Sequence, residues 1–247
     1  MVIISYRHNF IFIKTQKVAG TSVEAFLRGF CGEDDIITPV GPLDEQFMVA
    51  LGCPARNYSL DKGIENEYTD VVSHGKLEEG LQIRSRMKKS TIFSDHATIS
   101  QIKKKVNEEF FDKAYKFSID RHPYSWLASI VGFNVKKYQL NQLDKPDFQQ
   151  VMEKIKQKIS KGNFGTINRD RYTEKNRTAV DTIMKFENLE SDLYGVLARV
   201  GLNNSYSKIQ LPKLKVVQSA TPERVARSVT DFEKGIIFQK FRKVFEE

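Results

Sequence analysis

The stretch Phe10-Ile-Phe-Ile-Lys-Thr-Gln-Lys-Val-Ala-Gly-Thr-Ser-Val-Glu-Ala-Phe-Leu27 constrains the fold more than any other part of the chain. Four apolar residues, Phe10 to Ile13, suit a short buried strand. The segment then breaks into small and polar residues, Lys14 to Ser22. Val23, Phe26, Leu27 and Phe30 follow at helical spacing, which predicts a first helix over residues 22–30. A strand, a turn of small residues and a helix point backbone N–H groups and a positive dipole end at an anion. Gly20 permits close approach of the backbone, Thr21 and Ser22 add hydroxyl donors, and Lys17 adds a cation. The loop reads as a grip for a phosphate or sulfate group. Taken alone, Gly-Thr-Ser also serves as an ordinary turn and cap.

The rest of the chain must supply what such a loop needs. Its 247 residues suit one large domain, 1–247, at about 150 residues per domain. With 40% apolar and 28% charged residues, it has the makings of a substantial core. Apolar runs of only a few residues predict no transmembrane span. The N-terminus lacks the apolar region and cleavage site of a signal peptide. Two cysteines, Cys31 and Cys53, give neither a disulfide framework nor a metal cluster. The expectation is a cytoplasmic protein with no metal cofactor. A net charge of +8 favours an acidic partner such as a nucleotide, a glycan or nucleic acid, with a solvated basic surface as the plain alternative. No helix-turn-helix, zinc-finger or RNA-binding aromatic motif accompanies the charge, so nucleic acid is not the expected partner.

Residues 1–13 read as a strand or a strand pair. Residues 31–75 read as less regular, punctuated by Gly32, Pro39, Gly41, Pro42 and Pro54, with a short helix over Glu45–Leu51. Thr98-Ile-Ser-Gln101 fits a capping box, followed by Ile102, Val106 and Phe110 at helical spacing. Ala114–Asp120 is a strand candidate, leading into Arg121-His-Pro-Tyr-Ser-Trp-Leu-Ala-Ser129 and a helix to about Leu140. Pro123 is well placed in its first turn. A helix over 145–160 presents Phe148, Val151, Ile155 and Ile159 on one face. Lys161–Arg177 reads as loop, Val180–Phe186 as strand, and Glu187–Leu197 as helix ending near Gly201. Thr221 caps a C-terminal helix over about 222–245, with Ile236, Phe238, Phe241 and Phe245 facing inward. Alternating strands and helices predict an α/β fold with a mainly parallel sheet flanked by helices. Ligands of such sheets sit beyond the carboxyl ends of the strands, where the loops carrying Lys17 and Arg121 both begin.

A nucleoside triphosphate loop reads G-x-x-x-x-G-K-[ST]. Here the lysine precedes the glycine, so an ordinary ATP or GTP site is disfavoured. Arg121 and Ser129 lie eight residues apart at a strand end and in the following helix, with Ser125 on a similar face. A guanidinium forks onto two phosphate oxygens and a serine adds a donor. A helix-capping arginine and a packing serine give the same pattern.

K-V-A-G-T-S after an N-terminal strand and R-H-P-Y-S-W-L-A-S after a later one resemble the sulfotransferase family. The similarity is to the heparan sulfate 2-O-sulfotransferase-like and bacterial branch, with its K-T-A-G-T-S and R-N-P-x-x-x-x-x-S motifs. Val180-Asp-Thr-Ile-Met-Lys-Phe-Glu-Asn-Leu-Glu-Ser-Asp-Leu193 is similar to a further strand and helix of that family. The resemblance covers the motif regions across most of the chain, but not residues 31–90. It implies a P-loop-like fold and the donor 3′-phosphoadenosine 5′-phosphosulfate, which leaves as adenosine 3′,5′-bisphosphate. Lys17, Val18, Ala19, Gly20, Thr21 and Ser22 would take the 5′-phosphosulfate, and Arg121 and Ser129 the 3′-phosphate. A C-terminal loop over Leu211–Ala220 would offer Lys213, Lys215 and Ser219. Gln16, Val18 and His122 depart from the usual Pro, Thr and Asn. Lys14 rivals Lys17, which is preferred because it directly precedes Val-Ala-Gly-Thr-Ser.

His96 lies before a capped helix and 25 residues before Arg121, comparable to the catalytic histidine of glycan O-sulfotransferases, and His74 is the runner-up base. Glu187 is a site neighbour or a helix-start acid. The expected reaction is in-line sulfuryl transfer to an acceptor hydroxyl, with carbohydrate as one acceptor class. Lys17 would stabilise charge on the leaving oxygens and His96 would accept the hydroxyl proton. The alternatives are a nucleotide-dependent kinase of related fold and a non-enzymatic basic module for acidic polymers.

Overall fold

Alternation of Phe and Ile along one four-residue strand decides how the sheet is covered. In the computed structural model, which describes residues 1–140, 147–202, 211 and 220–246, β1 (Val2–Ser5) and β2 (Phe10–Ile13) form an antiparallel pair, with Val2 opposite Ile13 and Ser5 opposite Phe10. Next come α1 (Gly20–Arg28) and β3 (Ile36–Ile37), which pairs antiparallel with β1. Helices α2 (Pro42–Ala50), α3 (Lys62–Ser73) and α4 (Leu77–Met87) pack on one another. Two short helices, α5 (Ile99–Lys103) and α6 (Glu108–Lys113), lead to β4 (Tyr115–Asp120) and the long α7 (Pro123–Leu140). The chain continues through α8 (Phe148–Ser160), α9 (Arg169–Tyr172) and a small hairpin of β5 (Thr173–Glu174) and β6 (Arg177–Thr178). It then forms β7 (Thr182–Lys185), a 3-10 turn at Phe186–Asn188, α10 (Leu189–Arg199), α11 (Pro222–Ser228) and α12 (Asp231–Glu246).

The main sheet runs β3-β1-β2-β4-β7. Strands β2, β4 and β7 are parallel, whereas β1 is antiparallel to both its neighbours. The expected mainly parallel sheet is therefore a mixed one. The physical reason is the connection over residues 6–9: it is too short for the crossover that parallel pairing requires, so β1 and β2 must form a hairpin.

Phe10 and Phe12 face one side with Phe117 and Met184, and meet Val23 and Leu27 of α1, Tyr68 and Val72 of α3, and Leu193 and Leu197 of α10. The rings of Phe12 and Phe117 stack at 5.2 Å between centroids. Val2, Ile4, Ile11 and Ile13 face the other side and are covered by Phe93, Ala97, Ile99, Ile102 and Phe111. A further apolar cluster joins α7, α8, α11 and α12 through Trp126, Val151, Ile159, Val225 and Phe241. The chain is thus one α/β domain with helices on both faces of the sheet.

Several expectations are corrected. Residues 31–75 carry α2 and α3 rather than largely irregular chain. The helix read from Ile102, Val106 and Phe110 is two helices, because Asn107 caps a second start through Phe110 N–H. Lys161–Arg177 contains α9 and the first strand of the hairpin as well as loop. The C-terminal helix is interrupted after Ser228, and Thr230 makes a second cap: its hydroxyl accepts from Glu233 N–H at 3.2 Å. Phe238 is 52% exposed, and Ile237 takes the inward position.

Ile13 and Ser118 are register partners on parallel strands. The loops that leave β2 and β4 therefore start side by side at the carboxyl edge of the sheet.

Candidate functional site

Lys14 follows β2 directly and turns inward. Its Nζ donates to Glu24 Oε2 at 2.8 Å and to Thr21 Oγ1 at 3.1 Å. Glu24 also accepts from Arg28, which forks onto Glu45 and reaches the carbonyls of Thr38 and Cys53. These two cations and two carboxylates form a buried network under the loop. Burial pushes Glu24 up, but Lys14 and Arg28 outweigh it and hold the carboxyl below its ordinary range. Burial alone would lower Arg28, yet Glu24 and Glu45 raise it. A Cβ on Gly20 would lie 2.7 Å from Lys14 Cγ, so the glycine is required by the lysine stem crossing over it.

Above this network the loop is strained. Lys17 has φ 61° and Ala19 φ 53°, and His96 across the site has φ 58°. Among the described residues these are three of the four positive-φ residues that are neither Gly nor Asn, the fourth being Lys175. Each such conformation costs about 1–2 kcal/mol, and strain of this sort persists where surrounding contacts over-determine it. Left-handed Ala19 followed by the first helical residue, Gly20, is the backbone arrangement that cups an anion. Ser22 and Val23 N–H groups donate to the Ala19 carbonyl. Among the described residues, no hydrogen bond of the chain uses the N–H groups of Val18, Ala19, Gly20 or Thr21. Thr21 Oγ1 accepts from Lys14, which leaves its own proton to donate outward. The Val18 and Ser22 side chains are buried, and Val18 packs in the core, so the main chain is what this position offers a ligand. Lys17 stays near the surface, its Nζ 3.7 Å from the centroid of the Phe133 ring on α7.

The loop after β4 closes on the first one. Arg121 Nη1 donates to the Lys17 carbonyl at 2.9 Å, and Nε donates to Ser125 Oγ at 2.6 Å. The guanidinium carbon lies over Phe186, 3.6 Å from the ring centroid. Among the described residues no carboxylate comes within ion-pair distance of it. Burial lowers Arg121 to about 10, against the pull of Glu187, whose carboxylate accepts from His122 N–H.

The third wall is α9 with the residue before it, Asn168, which no spacing or motif marks in advance. Asn168 holds Gln16 from both sides: Oδ1 accepts from Gln16 N–H at 2.8 Å and Nδ2 donates to the Gln16 carbonyl at 3.0 Å. Tyr172 donates its hydroxyl to Asp120 Oδ2 at 2.5 Å, and Asp120 Oδ1 accepts from Arg121 N–H. Arg171 donates to the His96 carbonyl. His96 lies beside the end of β2, with Nδ1 3.3 Å from the Lys14 carbonyl. A ring nitrogen facing a carbonyl carries the proton, so Nε2 holds the lone pair. Burial, assisted by the Met1 amino group and by the Arg171 and Lys14 charges, lowers His96 to about 4 and keeps it neutral.

The structure thus brings Lys17, Ala19, Gly20, Thr21, Arg121 and His96 around one strand edge. Ser129 makes no hydrogen bond to Arg121; Ser125, one turn earlier, does. His74 caps the exposed end of α3, bound to Asp70 and Ser73, and touches none of these residues. Lys213, Lys215 and Ser219 lie outside the described residues. Lys14, the rival lysine, is committed to the buried network. Among the described residues no group of three His, Cys, Asp or Glu side chains gathers to hold a metal ion, and no helix is long and apolar enough to cross a membrane. What the edge offers is amides, hydroxyls and cations, a donor set for oxyanions. No family model, curated protein or solved structure matches the chain.

Proposed function

We propose that this chain is a sulfotransferase of P-loop-like fold that moves a sulfuryl group from 3′-phosphoadenosine 5′-phosphosulfate to an acceptor hydroxyl, with carbohydrate the first acceptor class to test. The observation that carries the reading is the bond from Arg121 to the Lys17 carbonyl. It ties two anion-directed loops, 104 residues apart, into one site. A nucleotide with phosphate at both ends calls for two such loops.

The residues divide the work as follows. The N–H groups of Val18 to Thr21 and the Thr21 hydroxyl bind the phosphosulfate end. Arg121, backed by the Phe186 ring, takes the 3′-phosphate. Its partial desolvation without a carboxylate partner among the described residues supports that role, because such a guanidinium gains most from an incoming anion. The Lys17 ammonium stabilises negative charge on the oxygen that leaves with the nucleotide, as preorganised electrostatics requires. The donor supplies an activated sulfuryl group: its sulfur–oxygen bond to the phosphate breaks as the acceptor oxygen bonds to sulfur. His96 Nε2 receives the hydroxyl proton, and the Lys14 carbonyl on Nδ1 keeps the ring in the accepting tautomer.

The test is a thermal shift of the full chain with adenosine 3′,5′-bisphosphate against ATP. Stabilisation by the bisphosphate and none by ATP is the expected result. Equal stabilisation by both, or none by the bisphosphate, overturns the reading.

A further inference from the structure

Helices α2 to α4 lie within residues 31–90, which the sulfotransferase resemblance does not cover, yet one of their side chains reaches the turn that carries His96. Arg84, on α4, donates from Nη2 to both oxygens of Asp95, at 2.7 and 2.9 Å, and from Nη1 to the Val40 carbonyl. The same carbonyl accepts from the Tyr68 hydroxyl at 2.9 Å, and Val40 and Tyr68 are both buried. Arg84 thus ties Asp95 to the packed junction of α2 and α3. Asp95 immediately precedes His96, whose backbone is left-handed with φ 58°. A non-glycine residue is disfavoured there about 5- to 30-fold, so its neighbours must hold it. Phe93 and Ala97 are buried in the cluster on the Ile11 face of the sheet and anchor the two ends of the turn. Between them, Arg171 takes the His96 carbonyl, and the Lys14 carbonyl faces Nδ1. Those contacts hold His96 itself; the tie from Arg84 fixes the residue before it.

We propose that Arg84 is a positioning residue: through Asp95 it keeps His96 in its left-handed conformation with Nδ1 on the Lys14 carbonyl, so that Nε2 stays the accepting nitrogen. This rests on the reading of His96 as the base, and it gives α2–α4 a part in the reaction. The exposure of the pair fits the role. The Arg84 side chain is 18% exposed and that of Asp95 58%, so the ion pair adds little to the stability of the whole chain. A planar guanidinium shared between a carboxylate and a carbonyl nevertheless fixes direction as well as charge.

The experiment reads the imidazole nitrogens of His96 by NMR in the full chain, labelled at histidine and with the signal assigned by His96→Gln, at about pH 8, where the ring is neutral. The native ring should be in the Nδ1–H form. In Arg84→Met and in Asp95→Asn the ratio of Nδ1–H to Nε2–H forms should fall about fivefold, the upper worth of a half-exposed ion pair, about 1 kcal/mol. The two substitutions remove opposite charges, so a fall in both reports the position of the ring and not the field on it. Arg84→Lys keeps the charge without the planar fork and should fall between. The urea midpoint should stay close to native in all three variants. An unchanged ratio in Arg84→Met or in Asp95→Asn, a native ring in the Nε2–H form, or a clearly lower urea midpoint in Arg84→Met each overturns the proposal. No nucleotide or acceptor enters the measurement. A chain that fails the bisphosphate comparison can therefore still show the tie to His96, and one that passes it can still lack the tie.

Discussion

Under the loop that follows β2, Lys14 and Arg28 are met by Glu24 and Glu45; beside it, Arg121 and Arg171 are met by carbonyls, a hydroxyl and an aromatic ring. Both sets are removed from water, but the first is electrically closed. Every N–H of Arg28 finds an acceptor, and Glu45 also accepts from the amides of Val40 and Ala55. The second set is held in place by neutral groups that fix geometry without cancelling charge. A matched network braces the fold from within. An unmatched one stores a preference for a negative ligand, and it sits where the strand-end loops converge. The contrast also separates the two lysines of the loop: Lys14 belongs to the closed set, and Lys17 lies near the surface over the Phe133 ring.

The contrast breaks most visibly at Arg28. Arg28→Ala leaves Glu45 buried with only amide donors and strips Glu24 of one of its two cations. Removing one partner of a buried pair costs about 3–5 kcal/mol, so the urea midpoint should fall steeply with the slope m unchanged. Arg121→Ala, by contrast, should leave the midpoint close to that of the native chain. Equal losses in both variants would mean that the two sets do the same job.

The next effect is on binding and turnover. Charge-assisted bonds are worth about 1.5–3 kcal/mol, so Arg121→Ala should weaken adenosine 3′,5′-bisphosphate roughly 10- to 100-fold by calorimetry. Lys17→Ala should abolish turnover while the bisphosphate Kd stays near its native value. Lys14→Ala should instead lower stability, because it leaves Glu24 with Arg28 alone. A Lys14 variant that is fully stable but inactive would exchange the roles of the two lysines.

Legibility from sequence differs between the same two regions. The loop, its helix and Arg121 are readable because each follows an apolar strand and the chemistry lies within a few consecutive residues. The capping box at Thr98 and Pro123 at the start of α7 are readable for the same reason: caps are local. Helix α3 is harder to see although Ile64, Tyr68, Val71 and Val72 recur at helical spacing behind an Asp61 cap, a signal overshadowed by the surrounding prolines and glycines. Helix α9 leaves no signal at all, since four residues cannot display a period. Its contact with His96, and that of the preceding Asn168 with Gln16, span 75 and 152 residues of sequence. Helical spacing admits both Ser125 and Ser129 as partners of Arg121; only the packed side chains show which one it reaches.

Acid should sharpen the contrast further. The folded chain holds His96 near 4, below its ordinary 6.5, so the native state binds fewer protons than the unfolded chain between those values. The His96 contribution is then fully present above about pH 6.5 and is lost as the pH falls toward 4, while the buried Met1 amino group, lowered by burial to about 5, adds a separate loss that the native chain and His96→Gln share. With allowance for the partial exposure of the ring, the loss amounts to no more than about 2 kcal/mol. His96→Gln should flatten that limb of the stability–pH curve, while the Lys14–Glu24–Arg28–Glu45 network is intact in both proteins. A limb of unchanged slope in the variant would remove His96 from the desolvated set.

The smallest effect tests whether a neutral ring helps to position Lys17. Phe133 is 47% exposed, and its ring carries the Lys17 ammonium at 3.7 Å. An exposed cation–π contact is worth about 0.5–1 kcal/mol. Phe133→Leu keeps an apolar side chain on α7 and removes the ring face. Stability should change by less than about 0.5 kcal/mol, as for most surface substitutions. If the ring holds Lys17 where the leaving oxygen develops charge, kcat should fall about two- to fivefold with the bisphosphate Kd unchanged, since about 1.4 kcal/mol corresponds to a factor of ten. Phe133→Tyr, which retains the face, should restore kcat. A fall in both variants would assign the loss to packing on α7, and no fall in either would leave Lys17 positioned by its left-handed backbone and the Arg121 bond to its carbonyl.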